Sequence, residues 1–142
     1  MADLTVTAAN VRALREHGAI VIPLTAGEAL TVGDSFYLDT DGDALKADGN
    51  VSAAAARGRG VIVESYDGET SIASGAACSG CFFGPVAGYA TVTPGANYYV
   101  SNTAGKVGDA AGTFSRILAF GTEIAGQNVL WIDPEQNDPS SA

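Results

Sequence analysis

Positive charge is scarce in this chain. Seven lysines and arginines stand against sixteen aspartates and glutamates, a formal net charge of −9 over 142 residues. The cations, Arg12, Arg15, Lys46, Arg57, Arg59, Lys106 and Arg116, form no stripe. A domain with this balance repels phosphate backbones, so no nucleic acid is expected as a partner, and no anionic membrane surface either. Long apolar runs are missing as well. No window approaches the roughly 20 residues that a membrane helix needs. The opening "MADLTVTAANV" lacks the basic start and apolar run of a secretory signal. The expected compartment of synthesis is a cytoplasm, where the two cysteines stay reduced. Histidine occurs once, at His17, and no nucleophile–base pair is visible around it. No G-x-S-x-G, phosphate loop or H-E-x-x-H occurs. The expectation is a protein that is not an enzyme and holds no cofactor and no metal.

Glycine, by contrast, is abundant at 18 residues, within a chain that is 46% apolar. That combination points to a folded chain of short strands and many turns. The stretch "LTVGDSFYLDTDG" from Leu30 is echoed 62 positions later by "VTPGANYYVSNTAG" from Val92. Thr31 aligns with Thr93, Gly33 with Gly95, Phe36 with Tyr98 and Tyr37 with Tyr99. Each phrase reads as a turn at its glycine followed by a strand with adjacent aromatics. Neighbouring side chains on a strand face opposite ways, so one aromatic of each pair is expected inside and one outside.

The surrounding segments extend the pattern. "DTDGD" and "SNTAG" are tight turns leading to Lys46 and Lys106, and "GVIVES" and "ILAFGTEI" are apolar strands that follow. "AIVIPL" reads as a strand ended by Pro23, and Asp67-Gly68 and Ala125-Gly126 as turns between strands. "AACSGCFFGPVAGYATVT" carries too much glycine for a long helix and predicts kinked or bulged strands. The fold class expected is all-β, a small antiparallel barrel or two-layer sandwich built from two related meanders. Residues 1–18 form an N-terminal arm, either extended or a short helix capped by Thr7 and stopped by Gly18. Residues 19–133 form the β body, and residues 134–142 a disordered tail.

Two groups of residues invite a chemical reading. Asp39, Asp41 and Asp43 alternate as in a calcium loop, but Ala44 and Asn50 stand where such a loop needs Gly and Glu. A hairpin turn accounts for the same residues. Cys78 and Cys81 make one C-x-x-C, half a zinc site, in a glycine-rich β context that does not suit a thioredoxin motif. They read as two small thiols on a bent strand. Phe82 and Phe83 follow at once. Either one of them faces outward as a contact surface, or the strand is buried on both sides.

Together, "ADLTVTAANV", "LTAGEALTVGDSFYLDTDGDALKAD", "RGRGVIVES", "VTPGANYYVSNTAGKV" and "ILAFGTEIAGQNVLWID" resemble the capsid decoration, or cement, proteins of tailed bacteriophages and related head-fibre bases. The likeness runs from Ala2 to about Asp133 and leaves "REHG" and "CSGC" outside it. It implies a β-barrel-like body on the outside of an icosahedral shell, with the major capsid protein and copies of itself, as a homotrimer, for partners. It implies localisation on the virion exterior and no catalytic residues. Residues 1–25 are neutral while the remainder carries the whole −9, so the arm is expected to meet the shell or a neighbour through Leu4, Val6, Val11, Arg12, Leu14 and Arg15. Phe82, Phe83 and Tyr89 are the expected subunit interface. The alternative is a recognition module on the virion surface, either the base of a head fibre or a host-glycan-binding domain, with Tyr37, Tyr66, Tyr89, Tyr98, Tyr99 and Trp131 as aromatic platforms for sugar.

Overall fold

In the computed structural model, residues 2–135 are described, together with the backbone of residues 140–141. Glycine turns set the strand boundaries. The strands are β1 (Arg12–Ala13), β2 (Ile20–Thr25), β3 (Leu30–Thr31), β4 (Ser35–Leu38), β5 (Ala44–Lys46), β6 (Gly60–Ser65) and β7 (Ser71–Ile72). They continue with β8 (Ala77–Ala87), β9 (Asn97–Val100), β10 (Val107–Gly108), β11 (Phe114–Ser115), β12 (Ile117–Ile124), β13 (Gln127–Ile132) and β14 (Ser140–Ser141). The fold is all-β, an antiparallel sheet curled into a half-barrel, with small two-stranded additions β3–β7 and β11–β14.

The sheet order is β10-β9-β12-β13-β8-β6-β4-β5. Read inward from either end it repeats itself: hairpin partner, phrase strand, returning strand, central strand. The duplicated phrase is therefore a duplicated meander, and the two copies meet where β8 pairs with β13. Hydrogen bonds repeat as well. Gly33 N–H donates to Ile62 O at 2.7 Å and Ile62 N–H to Asp34 O at 2.8 Å. In the second copy Gly95 N–H donates to Gly121 O at 2.8 Å and Gly121 N–H to Ala96 O at 2.9 Å. Gly33 and Gly95 both have positive φ, 101° and 86°, which suits glycine at each turn. Phe36 and Tyr98, the first aromatics, are buried; Tyr37 and Tyr99, the second, are half-buried on the other side.

The curled sheet is tied across its two ends by backbone. Ser35 N–H donates to Gly105 O at 2.9 Å, Gly105 N–H to Ala47 O at 2.8 Å and Gly49 N–H to Ser101 O at 2.8 Å. The terminal strands are also covered. Lys46 N–H donates to Glu28 Oε2 at 2.9 Å on β5, and Leu4 N–H donates to Val107 O at 2.8 Å on β10. Covering these edges blocks unwanted strand addition. The core between them holds Phe36, Val61, Ile62, Cys81, Val86, Val100, Leu118, Leu130 and Ile132.

Strand β8 bends as its glycines predicted. Its first half pairs with β2 and β6, its second half with β1 and β13, and Gly84 between them has φ 105°. Several expectations need correction. Residues 7–18 form no single helix. Two 3-10 turns, Ala8–Asn10 and Arg15–His17, flank β1, because pairing with β8 is worth more than three turns of a marginal helix. Thr7 makes no side-chain cap, whereas Gly18 does end the second turn with φ 102°. Strand β2 does not stop at Pro23. It runs on to Thr25, because the strand it extends is an edge. Ile62 bonds toward β4, so by antiparallel alternation Gly80 bonds toward Ile22, and Pro23 faces outward where no N–H is needed. β7 pairs with β3 and not with β6. The expected disordered tail starts docked: Ile117 N–H donates to Glu135 Oε1 at 2.7 Å, and Glu135 N–H to Ile117 O at 3.1 Å. β14 pairs with β11, and residues 136–139 and 142 lie outside the described residues.

Candidate functional site

The arm is sewn into the body. Val6 bridges Tyr89, Thr7 N–H donates to Gly88 O at 3.1 Å and Leu14 N–H to Pro85 O at 2.9 Å. Of the six residues expected to reach a shell, Leu4, Val11 and Leu14 are buried in this chain and Val6 packs against its core. Leu14 joins Ala87 and Val129 in a small second cluster apart from the main core. Arg12 and Arg15 remain exposed, and Arg15 pairs with Glu64 at 2.7 Å. An exposed pair of this kind adds little stability.

The interface trio separates in the same way. Tyr89 is buried and its hydroxyl donates to Gly33 O at 2.6 Å, a bond from the junction of β8 and β9 to the first repeat's turn. Burial pushes that hydroxyl far above its ordinary pKa, so it stays a donor. Phe82 turns inward, its ring edge-on to Phe36 at 5.3 Å. Phe83 alone faces out, at 40% exposure. It is not isolated. Its ring meets Trp131 edge-on at 5.7 Å, Trp131 stacks on Phe120 at 6.1 Å, and Ile20 is its cross-strand partner. Ile20 and Ile22 are 53% and 41% exposed. Phe83, Trp131 and Phe120 thus form one ring cluster across β8, β13 and β12, with the exposed Ile20 of β2 beside it. Sequence reasoning picked out Phe83 and Trp131 separately. The isoleucines and Phe120 were hidden because an apolar strand residue looks the same whether it faces in or out.

The strands that carry these side chains are poor in charge. β2, β8 and β13 contain no Asp, Glu, Lys or Arg, and β12 has only Glu123 near its far end. On a body of net −9 this is a local exception. No family model, curated protein or solved structure matches this chain.

Elsewhere the candidate groups are occupied by structure. Asp39 Oδ1 accepts from Asp41 N–H and Asp43 N–H, both at 2.9 Å, the bonding of a self-capped turn. Cys78 and Cys81 are buried free thiols on β8, and desolvation pushes Cys81 up to about 11, which keeps it protonated at neutral pH. Among the described residues no group of three or more His, Cys, Asp and Glu side chains is placed to hold a metal ion. A hollow of about 600 Å³ between the arm and the end of β8 is lined by Asn10, Arg12, Gly88 and Gln127 among others, with Arg12 its single charged side chain. Of the proposed sugar platforms, Tyr89 and Tyr98 are buried, Tyr66 stands 73% exposed beside the Asp67-Gly68 turn, and Trp131 lies in the ring cluster. Arg116, which nothing in the sequence marked, is a buried cation whose Nη2 donates to Gly58 O at 3.3 Å.

Proposed function

We propose that this chain is a structural protein of a phage head, binding the outside of the capsid and acting through its surface alone. The observation that carries the reading is the apolar patch around Phe83, Trp131 and Ile20, on strands poor in charge, in an otherwise acidic β body. A coat protein needs these two properties together. Net negative charge keeps free copies dispersed, and an apolar patch lets them bind. The order of phrases from Ala2 to Asp133, with its resemblance to decoration proteins, supplies the shell as partner. The arm, being part of the fold, contributes to the shell contact only through exposed groups such as Arg12 and Arg15. Many copies on a symmetric lattice make modest individual contacts sufficient. The test is co-sedimentation of the purified chain with undecorated heads. Saturable, stoichiometric binding is expected, and no binding by folded protein would overturn the reading. A second reading, a glycan-recognition module, draws on the half-buried Trp131 beside the exposed Phe83; a glycan-array signal without head binding would favour it.

A further inference from the structure

We infer that the hollow between the end of β4 and the Arg57-Gly58-Arg59-Gly60 segment is a binding site for a sugar that carries a carboxylate. The inference goes beyond the coat-protein reading. The hollow shares no residue with the Phe83–Trp131 cluster on which the glycan reading draws.

The seven cations form no stripe in the sequence, yet Arg57 and Arg59 line one hollow of about 340 Å³ together with Tyr37, Asp39 and Thr40. The alternation of arginine and glycine explains why. A Cβ on Gly58 would stand 2.7 Å from Val100 Cγ2, and one on Gly60 would overlap Cys81 O. Both glycines are buried and face the interior, so the arginines that alternate with them turn outward to one side. Three hydrogen bonds fix the backbone beneath. Arg57 N–H donates to Ala54 O at 3.2 Å, Arg59 N–H to Phe36 O at 2.8 Å, and the buried Arg116 donates through Nη2 to Gly58 O at 3.3 Å. Both arginine stems are therefore placed before any ligand arrives, which lowers the ordering cost of binding.

Two guanidinium forks suit the paired oxygens of a carboxylate. Among the described residues Arg59 makes no ion pair within the chain. A phosphate would meet the same forks, but its further charge is opposed by a body of −9 and by Asp39 in the lining. Asp39 also defines the rest of the ligand. Its Oδ1 is taken by the Asp41 and Asp43 amides at 2.9 Å, which leaves Oδ2 to accept from a ligand hydroxyl. An acidic peptide side chain brings a carboxylate but no such donor, whereas a sugar acid carries both on one ring. The Thr40 hydroxyl offers a second polar contact, and half-buried Tyr37 an aromatic surface for the ring's C–H face. Burial, reinforced by Glu28, Asp39 and Asp48, raises the pKa of the Tyr37 hydroxyl, so it adds no charge against the anion at neutral pH. The volume lies at the lower end for ligand pockets, enough for one sugar ring.

The experiment is an NMR titration of the full, isotope-labelled chain with methyl glucuronide to about 50 mM, read at backbone amides and arginine Nε–H groups. Expected are saturable shifts centred on Tyr37, Arg57 and Arg59, with a dissociation constant of about 1–10 mM that weakens in about 1 M sodium chloride. Methyl glucoside lacks the carboxylate, and glutarate and inorganic phosphate lack the ring; each should bind at least about tenfold more weakly. Arg57→Gln and Arg59→Gln should each weaken methyl glucuronide at least about tenfold, and Arg12→Gln, outside the hollow, should not. Arg59 is exposed, so Arg59→Gln should keep the melting temperature and report on binding alone. No saturable shift, binding of any of the three control compounds as tight as that of methyl glucuronide, or indifference to Arg59→Gln overturns the inference. Sugar binding by a chain that does not bind heads leaves the inference standing and removes the coat-protein reading. Head binding without sugar binding does the reverse.

Discussion

Two of the differences between the repeats are linked in the structure. Repeat one has Asp34 and Phe36 where repeat two has Ala96 and Tyr98. Each turn begins with a threonine whose N–H needs a partner. In the first copy Thr31 N–H donates to Asp34 Oδ2 at 2.8 Å. In the second, Ala96 has no side-chain oxygen to offer, and Thr93 N–H donates to the Tyr98 hydroxyl at 2.7 Å. Phe36 has no hydroxyl and does not need one. Tyr98→Phe should therefore strand the Thr93 amide while leaving the buried ring in place. A lost hydrogen bond of this type costs about 0.5–1.5 kcal/mol net, and the exposure of Thr93 to water sets the figure toward the lower half. For a domain of this size that is a fall of about 2–3 °C in Tm. Adding Ala96→Asp to Tyr98→Phe rebuilds the first repeat's arrangement and should recover most of the loss. The same Ala96→Asp in the unmodified chain should be neutral or destabilising, since the amide is already taken. Guanidinium unfolding of the four proteins gives the coupling energy, expected at about 0.5–1 kcal/mol favourable. Equal effects of Ala96→Asp in both backgrounds would refute the equivalence of the two turns.

Two other outcomes follow from the buried seam and the open edge. Asp34 is buried near Lys46 and Lys106, and desolvation raises its pKa above the ordinary carboxylate range. The folded state thus holds that proton more tightly than the unfolded chain, so Asp34's contribution to stability is greatest at low pH and is lost as pH rises from the ordinary range through the raised value. Asp34→Asn keeps an oxygen for Thr31 and should remove that slope, read as the difference between the two proteins' stability–pH curves; parallel curves would contradict it. Pro23→Val restores an outward N–H on β2, and should leave thermal stability within about 1 kcal/mol while promoting aggregation or fibre formation, followed by light scattering and thioflavin fluorescence. Unchanged scattering at high concentration would mean that the edge is protected by something other than proline.

Much of the architecture was legible because its signals are local. A glycine that must adopt positive φ, an aromatic pair on alternating faces and an Asp-Gly turn depend on a few adjacent residues, so the repeated phrase announced the repeated meander. The helix proposed for residues 7–18 failed because Val11 and Leu14 satisfy the helical period and yet are claimed by β8, more than 70 positions away. Some of the expected contact residues are buried for a related reason. Leu4, Leu14 and Tyr89 look the same in sequence as Ile20, Ile22 and Phe120, and only chain closure decides which of them meets water.

Composition and short-range pattern by themselves determined that this is an acidic β protein written twice. Which way each apolar side chain faces was decided only by tertiary structure. A strand's hydrophobicity records that something must cover it, but not whether the cover is β8, the arm or a surface outside the chain. Ile20, Ile22 and Phe83 stand out as exposed only once the sheet has curled and the arm has taken its place.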